Sequence, residues 1–276
     1  MGMKYLIVNA DDYNTDRERN RGILQAAQDG IVTSVTVITN LVWDDAVLSD
    51  LKTVFDSRVG IHLNLTKGIP ITKDTESLVN KNGRLFEKRE AWWKALFHGY
   101  NSKEIENEFA AQINRLQEAG ITPDHIDGNN HIHIFPEIIM VVARLANDFG
   151  ISKIRVPYES FWNASYYFRS AMVKKQLIGN ISKKARLVFK EHGLRFPECF
   201  AGIQFPRVSS VESLKLFIKN IPEGITELMC HPGYAIPSSR GFSTVAREQE
   251  LSALTNFSVL QDVRDRNVNL ISYSDI

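Results

Sequence analysis

The chain has 276 residues, 43% of them hydrophobic and 24% charged, with 33 Lys and Arg against 32 Asp and Glu. A formal charge of +1 calls for neither nucleic acid nor an anionic membrane as a partner, and the composition is that of an enzyme-sized globular protein. No run approaches the roughly 18 apolar residues of a membrane helix. Met1-Gly2-Met3-Lys4 leads into an apolar strand without a signal-peptide pattern, and Cys199 and Cys230 lack metal-type spacing. These readings predict a cytoplasmic protein with two reduced thiols.

Short β-rich runs alternate with helical ones. Lys4–Asn9 reads as a strand, Arg17–Asp29 as a helix stopped by Gly30, Thr33–Thr39 as a β-branched strand and Asp44–Asp56 as a helix. Val59–Leu65 reads as a strand with His62 and Asn64 on the face opposite Ile61, Leu63 and Leu65. Residues 66–101 read as irregular, with an aromatic cluster at Trp92, Trp93 and Phe97, the kind of long segment that serves as a lid or substrate loop. Ser102–Ala119 is helical, His125–Asp127 reads as a strand end, Pro136 opens a helix through Phe149, and Ile154–Val156 is a strand. Residues 160–192 read as helical, with Lys174 to Arg186 forming one solvated basic face. Ser209-Ser210-Val211-Glu212 fits a capping box and opens a helix to Asn220. Thr226–Met229 and Asn269–Ile271 are strands, separated by helices at Val245–Leu254 and Val259–Arg266. At least seven strands alternating with helices in one domain length predict a mostly parallel (β/α) barrel in a single domain, 1–276. Functional groups then belong at the carboxyl ends of the strands.

The polar residues predicted at those ends are Asn9, Asp11 and Asp12; His62 and Asn64; His125, Asp127, Asn129, Asn130, His131 and His133; Arg155; and His231. Five of the seven histidines are among them; His98 and His192 are not. Two adjacent carboxylates on an extended strand face opposite ways, so one is expected to bind a cation and the other to point elsewhere, as a base toward water. A carboxylate with one or two imidazoles suits a divalent metal with room for water and substrate. Such an ion polarises a carbonyl and acidifies its water, a carboxylate takes the proton, and a histidine donates one to the leaving group. Each residue also has an ordinary role open to it: an aspartate cap, a satisfied strand histidine, a loop histidine or a structural His-Pro. Their coincidence at one end of the sheet is what points to a site.

Five runs then resemble the YdjC-like carbohydrate deacetylases: Leu6-Ile-Val-Asn-Ala-Asp-Asp-Tyr13, Gly60-Ile-His-Leu-Asn-Leu-Thr66, His125-Ile-Asp-Gly-Asn-Asn-His-Ile-His-Ile-Phe-Pro136, Ile154-Arg-Val-Pro-Tyr-Glu159 and Glu227-Leu-Met-Cys-His-Pro-Gly233. The resemblance spans residues 4 to about 273, in the family's order. It implies a distorted (β/α) barrel like that of polysaccharide deacetylases and hydrolysis of an N-acetyl group from an amino sugar or an N-acetylated oligosaccharide or glycolipid. On this resemblance Asp11 matches the general base, Asp12 and His62 match metal ligands, His231 matches the general acid, and Arg155 matches the residue that orients the base. One departure stands out. Where the family's third motif has its ligand histidine, this chain has Asn129, a neutral donor better suited to a hard cation such as Mg²⁺ than to Zn²⁺. Three readings stay open: Asn129 binds Mg²⁺ or a similar ion weakly, His131 shifts in as ligand, or the metal is lost and the protein binds glycans without turning them over.

The aromatics Trp92, Trp93, Tyr158, Phe161, Trp162, Tyr166 and Tyr167 offer stacking faces for sugar rings, although packing is the ordinary role for most of them. A metal phosphoesterase is disfavoured by the lack of a Gly-rich phosphate loop or a dense Arg and Lys cluster in these motifs. A homodimer is the default oligomer.

Overall fold

The apolar run Leu6-Ile7-Val8 lies in β1 (Lys4–Tyr13), the central strand of the sheet. The computed structural model describes residues 2–42, 45–159, 169–203, 210–236 and 244–276. Leu6 through Tyr13 are all buried, as a strand covered on both faces requires. The chain continues through α1 (Arg17–Gln28), β2 (Ser34–Val37), α2 (Asp45–Phe55), β3 (Val59–Leu63), α3 (Lys88–Leu96), α4 (Ser102–Glu118), β4 (Ile126–Gly128) and α5 (Ile138–Asp148). It then forms α6 (Arg169–Glu191), β5 (Cys199–Ala201), α7 (Val211–Asn220), β6 (Gly224–Cys230), α8 (Val245–Leu254), α9 (Phe257–Asp265) and β7 (Val268–Ile271).

All the paired strands run parallel, in the order β4-β3-β2-β1-β6-β5. One edge of β1 is shared: β7 pairs with Lys4–Ile7 and β2 takes over from Asn9. Beyond β4 isolated parallel bridges, Ile126 with Ile154 and Lys153 with Arg195, lead to the segment that precedes β5. The sheet therefore curls into a distorted (β/α) half-barrel, as expected.

Caps set several helix starts. Asp16 accepts from the Arg19 N–H at the start of α1, Asn101 accepts from Lys103 and Glu104 at the start of α4, and Asn256 accepts from Ser258 at the start of α9. The expected capping box at Ser209 is off by one residue. Ser210 is the cap, accepting from Ser213 N–H, and Ser209 lies outside the described residues. On α6, Lys183 and Lys184 are exposed while Ile181, Ser182 and Ala185 are buried, which fits the solvated basic face predicted there.

Four elements differ from the sequence reading. Residues 66–101 are not wholly irregular: they contain α3, which buries only Ala91 and Ala95 and so carries almost no apolar stripe to read. Within Ile154–Val156 only Ile154 makes a bridge, and no strand forms; Pro157 follows and has no N–H to extend a ladder. The helix expected from Pro136 starts at Ile138, after a turn. β5 has three residues, too few for a periodic signal.

The lower barrel interior is polar. Asp11, His62, Asp127, Arg155 and Glu227 are all at most 2% exposed. Tyr273, in the final turn Tyr273–Asp275, is fully buried beneath them, and a reciprocal Ser272–Asp275 capping box closes that turn.

Candidate active site

Asp11 and Asp12 line the same cavity. Its volume is about 230 Å³, and His62, Asn129, His131 and His231 line it with them. This corrects the expectation that adjacent carboxylates must diverge. The register of β1 against β2 shifts between Ala10 and Tyr13, and Asp12 has φ 73°, in the left-handed region that Asp and Asn tolerate best. The bulge breaks the alternation and turns both side chains to one side. Asp12 Oδ2 accepts from Arg19 Nη1 at 3.0 Å, so the first turn of α1 anchors the strand end.

Arg155 reaches across the barrel to Asp11 and holds both of its oxygens: Nη1 to Oδ2 at 2.6 Å and Nη2 to Oδ1 at 2.7 Å. Asn9 Nδ2 donates to Asp11 Oδ1 at 2.9 Å. Burial alone pushes the Asp11 carboxyl up. Arg155, by charge and hydrogen bond, together with His62 and Asn9, outweighs it and holds the pKa at about 2. Asp11 is thus a carboxylate at any physiological pH.

Asp127, paired in register with His62 across β3 and β4, meets His62 Nδ1 at 2.6 Å. Thr36 Oγ1 donates to Asp127 Oδ2 at 3.1 Å, and Arg155 Nη1 lies 2.7 Å from the same oxygen. Burial lowers the His62 pKa, but Asp127, Asp11 and Asp12 override it and push it up to about 9. The imidazole sits among carboxylates, which favour a positive charge on Nε2, either a proton or, in its place, a metal cation. His62 Nε2 faces Asp12 Oδ1 at 3.8 Å.

This geometry fits a divalent cation. Asp11, His62 and Asp127 each offer a ligand atom within 4.8 Å of the others. Asp11 and Asp127 are heavily engaged by Arg155, whereas Asp127 on Nδ1 leaves Nε2 of His62 directed at Asp12, the usual arrangement behind a metal-binding imidazole. Two ligand atoms sharing one ion at about 2.1 Å each lie roughly 3–4 Å apart, and the Asp12–His62 pair falls in that range.

The third motif divides its residues between two places. Asn130 and His131 both have positive φ, 55° and 60°, in a kinked turn over Asn129–Ile134 that brings Asn129, Asn130 and His131 to the cavity. Asn129 Oδ1 accepts from Asn130 Nδ2 at 2.9 Å, and Asn129 Nδ2 donates to Asn64 Oδ1 at 3.3 Å. His133 turns away: its Nε2 bonds the Arg155 carbonyl at 3.0 Å, and burial lowers its pKa to about 4, so it is a neutral support for the Arg155 backbone. His125 is not at this end of the sheet. It precedes β4, packs against Gly60 near the start of β3, stacks on Tyr273 at 3.7 Å and meets Asp124 Oδ1 at 2.5 Å.

His231 follows β6, and its Nε2 lies 3.9 Å from Asp11 Oδ2. Its backbone is clamped from α8: Glu250 Oε1 accepts from His231 N–H at 2.9 Å, and Arg247 Nη1 donates to His231 O at 3.1 Å. The opposite wall carries Lys88 and Trp92 of α3, with Trp92 Nε1 donating to the Asn130 carbonyl at 3.0 Å and Lys88 Nζ 5.2 Å from the Trp92 ring. Of the other aromatics, Trp93 and Phe97 stack on each other in solvent, and Tyr158 is half-buried against the core. Phe161, Trp162, Tyr166 and Tyr167 lie outside the described residues.

Sequence reasoning did not single out Thr36, Glu227, Lys88, Arg247 or Glu250. A signal existed for Glu227: it precedes Met229 and His231 by two and four residues, the spacing of one strand face.

A curled parallel barrel that gathers carboxylates, imidazoles and two buried arginines, Arg19 and Arg155, at the carboxyl ends of its strands is an α/β-barrel enzyme by layout. The chain belongs to the YdjC-like protein family, whose model matches residues 5–265. It is 33% identical to a carbohydrate deacetylase of Geobacillus stearothermophilus, over 99% of this chain and 98% of that one. It is 29% identical to a chitooligosaccharide deacetylase of Klebsiella pneumoniae subsp. pneumoniae, over 99% of each. A crystal structure from Enterococcus faecalis V583 shares the fold, with a TM-score of 0.80, 23% identity and coverage of 99% of this chain and 98% of that one. Among the described residues, no helix is long and apolar enough to cross a membrane.

Proposed function

We propose that the protein is a metal-dependent hydrolase that removes N-acetyl groups from amino sugars or from N-acetylated oligosaccharides or glycolipids. The observation that carries this reading is a carboxylate, Asp11, held ionised by Arg155 and facing His231 across the same cavity that the Asp12–His62 pair lines. The deacetylase activity for which these relatives are named supports the deacetylation part of this reading.

Asp12 and His62 would hold the ion, with Asn129 or His131 completing the set. Mg²⁺ is favoured by the oxygen donors, with Zn²⁺ as the alternative. When bound, the ion supplies polarisation of the acetyl carbonyl and acidification of a water. The chain's own residues do the rest. Asp11 takes a proton from the attacking water as the O–C bond forms. Arg155 keeps both Asp11 oxygens in place. His231 gives a proton to the nitrogen as the C–N bond breaks, releasing acetate and a free amine. Trp92 and Lys88 form the wall against which a sugar ring would rest.

A glycan-binding protein without turnover is favoured by one observation: the Asn129 amide is already engaged on both sides, by Asn130 and Asn64. Asn129→His tests this second reading: a gain of metal affinity and activity would support lost function, and no change would argue against it. The unpaired Cys199 and Cys230 support a reducing, cytoplasmic setting. The same reading takes the activity to reside in one domain over residues 1–276, with a homodimer as the default assembly.

The test is acetate release from a panel of N-acetylglucosamine oligomers with added Mg²⁺ or Zn²⁺. Release that needs metal supports the proposal. Silence from folded protein under every metal rejects it for these substrates and favours the binding reading.

A further inference from the structure

The arginine that grips Asp11 is itself held from below. Glu227 Oε1 accepts from Arg155 Nε at 2.8 Å and lies 2.7 Å from Arg155 Nη2. With the two bonds to Asp11 and the 2.7 Å contact of Nη1 with Asp127, all five guanidinium N–H donors have an assigned acceptor. The group therefore has no rotational freedom while those partners stay in place.

Glu227 is fully buried beneath the cavity and is not among its lining residues. Its second oxygen, Oε2, accepts from the Tyr273 hydroxyl at 2.6 Å. Tyr273 is fully buried, and its ring is fixed by the parallel stack on His125, 3.7 Å between centroids and 9° between planes. The turn that carries Tyr273 is closed by the Ser272–Asp275 box and follows β7, which pairs with β1 over Lys4–Ile7, the same strand that ends in Asp11.

Three carboxylates around one buried cation repel one another unless each has donors of its own. Asp11 has Asn9, and Asp127 has Thr36. For Glu227 that donor is Tyr273. We propose that Glu227 and Tyr273 are positioning residues, which lock Arg155 and through it the Asp11 carboxylate in the orientation that deacetylation needs. This proposal rests on the reading of Asp11 as the base. A small loss of orientation at a base costs rate and leaves ground-state binding in place.

The experiment compares Tyr273→Phe, Glu227→Gln, the double variant and Asp11→Asn. It reads kcat and KM for acetate release from N-acetylglucosamine oligomers, Mg²⁺ and Zn²⁺ affinity by calorimetry, and thermal midpoint. Tyr273→Phe keeps the ring stack and removes one oxygen. It is expected to lower kcat about tenfold while KM and metal affinity stay within about twofold. Glu227→Gln lowers kcat further, and the double variant falls no lower than Glu227→Gln, because Tyr273 acts only through Glu227. A folded Tyr273→Phe protein with full kcat overturns the proposal. So does a loss confined to KM or metal affinity, or a double variant whose losses multiply. If Tyr273→Phe does not fold, Glu227→Gln decides by the same split between kcat and KM. Activity retained in Asp11→Asn overturns the base reading and this proposal together, whereas an inactive Asp11→Asn beside an unimpaired Tyr273→Phe overturns this proposal alone.

Discussion

Arg155 and Asp11, 144 residues apart, meet in a two-pronged ion pair at 2.6 and 2.7 Å. An ammonium cannot reproduce that planar fork. Arg155→Lys is therefore expected to lower kcat by roughly 100-fold, with the fold intact. Arg155→Met leaves three buried carboxylates facing one another and is expected to cost about 3–5 kcal/mol of stability, read by chemical denaturation. A Lys variant with wild-type kcat would show that the fork is dispensable.

On the proposed reading, Asp127 acts on metal binding through His62. It meets Nδ1 and leaves Nε2 facing Asp12. Asp127→Asn, which weakens that orientation, is expected to reduce Mg²⁺ or Zn²⁺ affinity by about 10- to 100-fold in calorimetry. Unchanged affinity would place the ion away from His62.

Much of this site was legible because its residues sit in short runs at strand ends. Asp11, Asp12, His62, Asn129, His131, Arg155 and His231 all reach the cavity or its base. What sequence could not supply was direction and partnership. His125 and Asp127 are two residues apart, yet a three-residue strand carries one to the floor and the other to the site. The joint facing of Asp11 and Asp12 depends on a bulge and a positive φ, which alternation alone does not forecast. Glu227, Arg247 and Glu250 take their roles from contacts formed only when the barrel closes.

Glu250 makes stability depend on pH. Burial raises its carboxyl from 4.5 to about 7, against the lowering influence of Arg247. The folded state therefore binds the proton more tightly than the unfolded chain. The favourable contribution is full below about pH 4.5 and is lost as pH rises to about 7. Glu250→Gln keeps an acceptor for the His231 N–H and removes the titration. Its stability relative to the parent should rise between pH 4.5 and 7 and then level off, by at most on the order of 3 kcal/mol. A difference that is flat across this range would contradict the assignment.

Gly22 lets α1 lie against the loop that carries His231. A Cβ there would sit 2.4 Å from the Gly233 Cα, a backbone atom that cannot swing aside. Gly22→Ala should destabilise the protein by about 1–3 kcal/mol and depress activity more than the folded fraction explains, since it pushes on the residue two after His231. Thermal melts and kcat measured on the folded fraction check both parts. An alanine variant with normal kcat would uncouple α1 from His231.

On the proposed reading, Asp11 and one ion held by Asp12 and His62 together cleave an N-acetyl bond. The most direct test of this reading is acetate release from N-acetylglucosamine oligomers by chelator-treated protein, before and after Mg²⁺ or Zn²⁺ is restored, with Asp11→Asn and Asp12→Asn alongside. Activity is expected to return with metal in the parent only, with Asp11→Asn still binding the ion and Asp12→Asn binding it weakly. Full turnover in chelator, or turnover by Asp11→Asn, would contradict it.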